Sequence, residues 1–191
     1  MLFRSRNVES YVQIMTYSDD AGGFIGSISS PIYDWNTDVY TWNGIIAQPT
    51  NVQIVHARSY AYFYATSENY GGFIGYIEGG NIEVGLSFSY SSIAGSLSTN
   101  NVGGYIGNIL DAKVSIDMSY SYGVIQADTN IGGFVGTVQG TSYLSLNMVV
   151  SDLLHVTYII NGFDLVGNIE MSTEIAFDFV KQLTEELNDH P

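Results

Sequence analysis

The sequence predicts an all-β fold, a right-handed β-solenoid of about five coils, and three observations carry that reading. The phrase Gly-Gly-aromatic-aliphatic-Gly recurs as Gly22–Gly26, Gly71–Gly75, Gly103–Gly107 and Gly132–Gly136, with a decayed copy at Phe163–Gly167. Its last glycines stand 49, 32, 29 and 31 residues apart, and a period near thirty marks a chain of stacked, similar units. Two residues before each phrase sits Asp20, Asn69, Asn101, Asn130 or Asn161. Asn and Asp tolerate left-handed backbone angles and bond their own turn, so this column reads as one repeated structural turn. Alternating apolar runs complete the pattern: Val52–Val55, Ile82–Leu86 and Val114–Met118 have the period-two chemistry of a half-buried strand.

Each unit therefore holds about three short strands, none able to bury enough surface alone. Stacking lets every strand pair with its equivalent above and below at about 4.8 Å. The glycines become places of sharp turning or close backbone approach. Ile28, Ile77, Ile109, Val138 and Ile169 lie four residues after Phe24, Phe73, Tyr105, Phe134 and Leu165, so both sets face the same side and are placed in the core. A Ser-Tyr pair precedes the phrase at Ser10-Tyr11, Ser59-Tyr60, Ser89-Tyr90 and Ser119-Tyr120, a column expected to stack mainly for stability. Solenoid repeats are expected over residues 1–171 and a helical cap and tail over 172–191.

The first residues, with Ser10-Tyr11 in mid-repeat and no apolar signal core, suggest that a preceding segment is missing. Leu2, Phe3 and Val8 would then lie at an open edge, and end-to-end self-association through the N-terminal coil is expected. An insertion of about residues 29–50 explains the 49-residue gap. It holds Trp35 and Trp42 with Tyr33, Asp34, Asp38 and Tyr40 beside them, and Asn43-Gly44 signals a hairpin turn. Exposed aromatics next to carboxylates suit stacking on sugar rings, which makes these six residues the candidate ligand-binding set. The plainer reading, that both indoles fold back on the solenoid wall, is preferred. At the other end Ala176, Phe179, Val180, Leu183 and Leu187 fall at helical spacing, with Ser172 or Thr173 as cap. The expectation there is an α-helix closing the last coil.

These features together resemble the GLUG-type repeat of β-helical surface proteins, over residues 5–170. The resemblance implies a stalk or display module of an adhesin-like molecule, and the repeat itself carries no catalytic residues to transfer. Such copies usually belong to far longer chains.

Composition narrows the rest. Nineteen acids against five bases give a net charge of −14, which repels phosphate backbones and argues against nucleic acid as partner. Membrane insertion is not expected, because no apolar run nears the roughly twenty residues a helix needs. Without cysteine there are no disulfides or thiolate metal sites. His56, His155 and His190 match no metal spacing, and Asp19, Asp20 and Asp128 are read as turn formers before calcium ligands. No cofactor, metal or catalytic residue is expected. The leading expectation is a non-enzymatic structural or adhesive module with a protein or glycan partner at a surface. A carbohydrate-binding module is the first alternative. A polysaccharide-active enzyme is the second, requiring two facing carboxylates. The compartment is cell surface or extracellular for a piece of a longer chain, cytoplasmic for a complete one.

Overall fold

A computed structural model describes residues 2–16, 19–34, 36–96, 98–157, 164–169, 174–177 and 180–184. The chain winds through three parallel sheets in turn, so each strand pairs with its counterpart one repeat away. Sheet 1 runs Leu2–Arg6, Asn51–Val55, Asn81–Gly85, Lys113–Asp117, Tyr143–Asn147 and Glu174–Phe177. Sheet 2 runs Glu9–Thr16, Arg58–Ala65, Phe88–Gly95, Tyr120–Gln126, Val149–Thr157 and Val180–Thr184. In sheet 3 each turn supplies two short strands bent at the Gly-Gly phrase, as in Glu68–Gly71 and Ile74–Glu78, until they fuse in Thr129–Gln139. The fold is a β-solenoid, as the repeat period required.

Two expectations need correction. The solenoid has about three turns in place of five, and ladder strands of the neighbouring repeats continue it at either end. No helix occurs among the described residues, and the expected cap is strand instead. Glu174–Phe177 extends sheet 1 on Tyr143–Leu146, and Val180–Thr184 extends sheet 2 on Val149–Leu153. Unpaired edge amides and carbonyls of the preceding turn offer a ladder that outweighs helical periodicity. The remaining cap positions, among them Ser172, Thr173, Phe179 and Leu187, lie outside the described residues.

Three corners bend each turn, and each uses left-handed backbone. Between sheets 1 and 2 stand Asn7, His56, Leu86, Met118 and Met148, at φ 44 to 56°. Entering sheet 3 are Asp20, Asn69, Asn101 and Asn130, at φ 54 to 63°, the turn column anticipated from sequence. Between sheets 3 and 1 come Gly79, Asp111 and Gly140.

The interior divides into two apolar lobes. The larger joins the inward residues of sheet 1, such as Ile54, Ile82, Val84 and Ile116, to Phe73, Ile74 and Ile77 and their equivalents. Both the aromatic and the following aliphatic residue of the phrase are buried, because Phe73 and Ile74 amides bond one carbonyl, that of Tyr105, as the chain turns. Phe24, Phe73, Tyr105 and Phe134 stack down the axis at 4.9, 4.7 and 4.5 Å. The smaller lobe holds Ala61, Phe63, Tyr70, Ile93, Val102 and Ile125.

Between the lobes the walls nearly touch. A methyl group on Gly72 would collide with Gly104 O, Ser89 Oγ and Ser91 Cβ, so the second glycine of the phrase is fixed by space. Buried serines of sheet 2 bridge this waist: Ser59 Oγ donates to Gly72 O at 2.7 Å and Ser89 Oγ to Gly104 O at 2.9 Å. Ser10 Oγ donates likewise to Gly23 O at 2.6 Å, whereas Ser121 Oγ, ahead of the fourth phrase, is buried without a partner and Gly133 O accepts from Ser151 Oγ at 2.6 Å.

Candidate functional site

The insertion folds as a three-stranded antiparallel meander, Ile32–Asp34, Val39–Trp42 and Ile45–Ile46. Trp42 pairs with Ile45 around Asn43 and Gly44, at φ 51 and 75°, the primed turn that an Asn-Gly pair favours. Its base is fastened to the solenoid two turns away from where it leaves. Tyr33 N donates to Asp111 O at 2.6 Å, and Thr141 Oγ1 donates to Tyr33 O at 2.7 Å. Lys113 Nζ lies 3.6 Å from Asp38 Oδ1, 5.5 Å from the Tyr33 ring centre and 5.8 Å from that of Tyr143. Tyr33 Oη also donates to Asp38 Oδ1 at 3.0 Å.

The six candidate binding residues therefore separate. Tyr33 is 3% exposed and serves as an anchor, so its ring offers no free stacking face. Asp34 holds the turn that follows it, accepting from Asn36 N at 2.9 Å and Asn36 Nδ2 at 3.1 Å. The Asn36 amide, with Asn36 and Thr37 side chains adding to it, keeps its carboxyl below the usual range. Asp38 is spent on Tyr33 and Lys113. Tyr40 is half-buried against Tyr33, ring centres 4.9 Å apart, and burial followed by the nearby Asp38 charge pushes its phenol up to about 12. Trp35 lies outside the described residues. Trp42 stands 53% exposed, contrary to the preferred reading that it packs on the wall. Ile45 and Ile46, at 71% and 77%, complete an exposed apolar tip, and their place beside the Asn43-Gly44 turn is its signal in the sequence.

The turn column forms a ladder. Asn69 Nδ2 donates to Asp20 Oδ1 at 2.8 Å, Asn101 Nδ2 to Asn69 Oδ1 at 2.9 Å, and Asn130 Nδ2 to Asn101 Oδ1 at 2.9 Å. Asn108 Nδ2 and Thr137 Oγ1 brace it at Asn69 and Asn101. Asn161 lies outside the described residues. Asp19 contacts Ser67 Oγ, so both carboxylates at that corner are held by the protein itself.

The Ser-Tyr column needs a one-repeat correction. Tyr11, Tyr60 and Tyr90 are in register with Tyr122, and Ser89 with Ser121. Tyr120 instead opposes Phe88, while Ser119 bonds the corner, donating to Asp117 O at 3.0 Å. The stretch Ser119-Tyr-Ser-Tyr122 offers two equivalent pairs, and only the corner geometry distinguishes them.

On the outer face of sheet 1, Glu83 and Asp117 line one shallow depression with Gln53 and Ser115. They occupy adjacent strands on the diagonal, since Glu83 opposes Ser115 and Gly85 opposes Asp117. Each is engaged by an amide: Gln53 Nε2 donates to Glu83 at 3.3 Å and Asn147 Nδ2 to Asp117 at 2.8 Å. Among the described residues no group of three or more His, Asp or Glu side chains gathers as a metal site. No helix of the described residues is long and apolar enough to cross a membrane.

Set against protein-family models, curated proteins and solved structures, the chain matched none.

Proposed function

We propose that this chain is a structural, adhesive repeat module, non-enzymatic, that carries the 32–46 meander on a stiff solenoid and belongs to a larger surface protein. Its resemblance to GLUG-type repeats and the right-handed sense usual for parallel crossovers are part of the same reading. The observation behind it is how the recurring polar positions are used. The Asn column, the waist serines Ser10, Ser59, Ser89 and Ser151, and the corner serines bond the next turn or the facing wall, whereas Trp42, Ile45 and Ile46 point to solvent and have no counterpart in other repeats. Exposed apolar residues on a rigid, anchored insertion are what a binding loop requires. The partner on this reading is a protein or glycan at a surface.

The test is adhesion of the immobilised chain to cells and to a glycan panel, compared with Trp42→Ala/Ile45→Ser/Ile46→Ser. Loss of adhesion with an unchanged melting temperature supports the reading, and undiminished adhesion contradicts it. The carbohydrate-binding alternative has the exposed Trp42 indole in its favour and requires that Trp42→Ala alone abolish glycan binding. An enzymatic alternative rests on Glu83 and Asp117, and requires polysaccharide cleavage that Glu83→Gln removes.

A further inference from the structure

The outer face of sheet 2 differs in chemistry from the rest of the molecule. Its outward columns carry Tyr11, Tyr60, Tyr90 and Tyr122, then Phe88 and Tyr120, with Tyr62 and Tyr64 beside them. Of the 19 acidic residues, two lie on sheet 2 strands, Glu9 and Asp152. Glu9 is paired with Arg58 at 3.1 Å, and Asp152 accepts from Tyr120 Oη at 3.2 Å. With Arg58 and Lys181 on the same strands, two bases balance two acids, so the face is aromatic and near neutral on a chain of net charge −14. Along its border runs the corner of Leu86, Met118 and Met148, exposed by 45, 44 and 49%. Bulky residues in left-handed backbone cost about 1 kcal/mol each, and here that cost leaves apolar side chains in water.

Two of the four ring contacts along the axis are stacked, and the other two, Tyr60–Tyr90 and Tyr90–Tyr122, are tilted by 36° and 32°. Tyr11 and Tyr60 lie 4.7 Å apart and within 3° of parallel, and Phe88 and Tyr120 5.4 Å apart at 12°. Stacking covers ring faces and turns edges and hydroxyls outward, which suits interleaving with other rings better than lying flat on sugars. The rung spacing is set by backbone hydrogen bonds, so it is identical in another copy of the chain, and every aromatic rung can meet a matching groove. Two copies can also meet here without pressing carboxylates together, as their other faces would. With strands of about eight residues and about four or five rungs, the face spans roughly 570 Å² per copy, about 1,100 Å² in all, close to the lower bound of a specific interface.

We propose that the tyrosine face of sheet 2, rimmed by Leu86, Met118 and Met148, pairs with the same face of a second copy. The pairing is isologous and closes at two chains. It does not depend on the display role of the insertion.

Sedimentation equilibrium across concentration and salt tests it, using the wild-type chain, Tyr62→Glu/Tyr64→Glu and Ile45→Glu/Ile46→Glu. Tyr62 and Tyr64 are more than half exposed, so those changes leave the core intact, to be verified by circular dichroism. The expected mass approaches twice 20.9 kDa and stops there, with tighter association at high salt as the like charges are screened. The tyrosine variant associates at least about tenfold more weakly, a loss of about 1.4 kcal/mol, and the isoleucine variant is unchanged. A monomer at every concentration overturns the proposal. So does open-ended growth, which marks end-to-end stacking, or a dimer that the isoleucine variant alone disrupts.

Discussion

Two corners of this solenoid adopt the same left-handed backbone with opposite chemistry. At the entrance to sheet 3 the residues are Asp20, Asn69, Asn101 and Asn130, each amide bonded to the residue one turn away. Between sheets 1 and 2 they are Asn7, His56, Leu86, Met118 and Met148, where the turn is held by the backbone, Leu86 N donating to Asp117 O at 3.1 Å and Met118 N to Asn147 O at 3.0 Å. Serines in the next position support that second corner: Ser87 Oγ donates to Gly85 O at 2.8 Å and accepts from Ala57 N at 3.2 Å. Asn69 and Asn101 are 8% exposed, whereas Leu86 is 45% exposed. A buried corner needs a side chain that satisfies itself and its neighbours. An exposed corner needs only a backbone that can be bent.

Exchanging the two chemistries should expose that difference. Asn101→Leu removes the bond to Asn69 and strands the Asn130 amide and Thr137 hydroxyl that Asn101 Oδ1 accepts. Together with the left-handed strain it should cost about 3–5 kcal/mol, read by denaturant unfolding. Gly72→Ala attacks the waist that the ladder flanks. Because the Gly104 carbonyl of the next rung and Ser89 and Ser91 of the facing wall crowd that position, the added methyl should cost about 3 kcal/mol in the same assay. An equal melting temperature in either variant would mean that the turns are not stacked this closely.

Smaller changes should stabilise. Tyr105 takes the place of Phe73 and Phe134 in the aromatic stack, yet its hydroxyl is buried without a hydrogen-bond partner. Burial raises its pKa, and the Ser87 and Ser119 hydroxyls nearby only partly offset that. Tyr105→Phe should gain about 1 kcal/mol. Leu86→Asn places a left-handed former at the exposed corner and should gain up to about 1 kcal/mol, with no new ladder required. A gain as large as the Asn101→Leu loss would show that both corners depend on side chains.

The insertion has its own pH signature. Tyr40 titrates near 12 when docked, above its ordinary 10, so the neutral phenol favours the docked meander. That contribution is complete below pH 10 and is lost as pH rises from 10 to 12. Trp42 fluorescence should report loosening over this interval, and Tyr40→Phe should remove it.

What could be read from the sequence follows the same division. Asn69, Asn101 and Asn130 announce their corner because the side chain itself does the bonding. Asn43-Gly44 announces a hairpin for the same reason. Leu86 and Met118 announce nothing, because each ends an alternating apolar run as an ordinary strand residue would. The C-terminal segment carries a helical spacing of apolar residues, but ladder partners at Tyr143–Leu146 and Val149–Leu153 are distant in sequence and invisible to a local pattern. The insertion announces itself by its length and aromatics. Which aromatic became the anchor depended on Asp111, Lys113 and Thr141, supplied by later turns.

The side-chain amides of the Asn ladder test the stacked architecture most directly. In a nuclear Overhauser and amide-exchange experiment, Asn69 and Asn101, 32 residues apart, should show mutual side-chain contacts, as should Asn101 and Asn130. Their Nδ2 protons should exchange far more slowly than those of Asn36, which holds only a local, exposed bond. Absent contacts, with exchange as fast as at Asn36, would contradict the in-register stacking on which the fold, the waist and both corners depend.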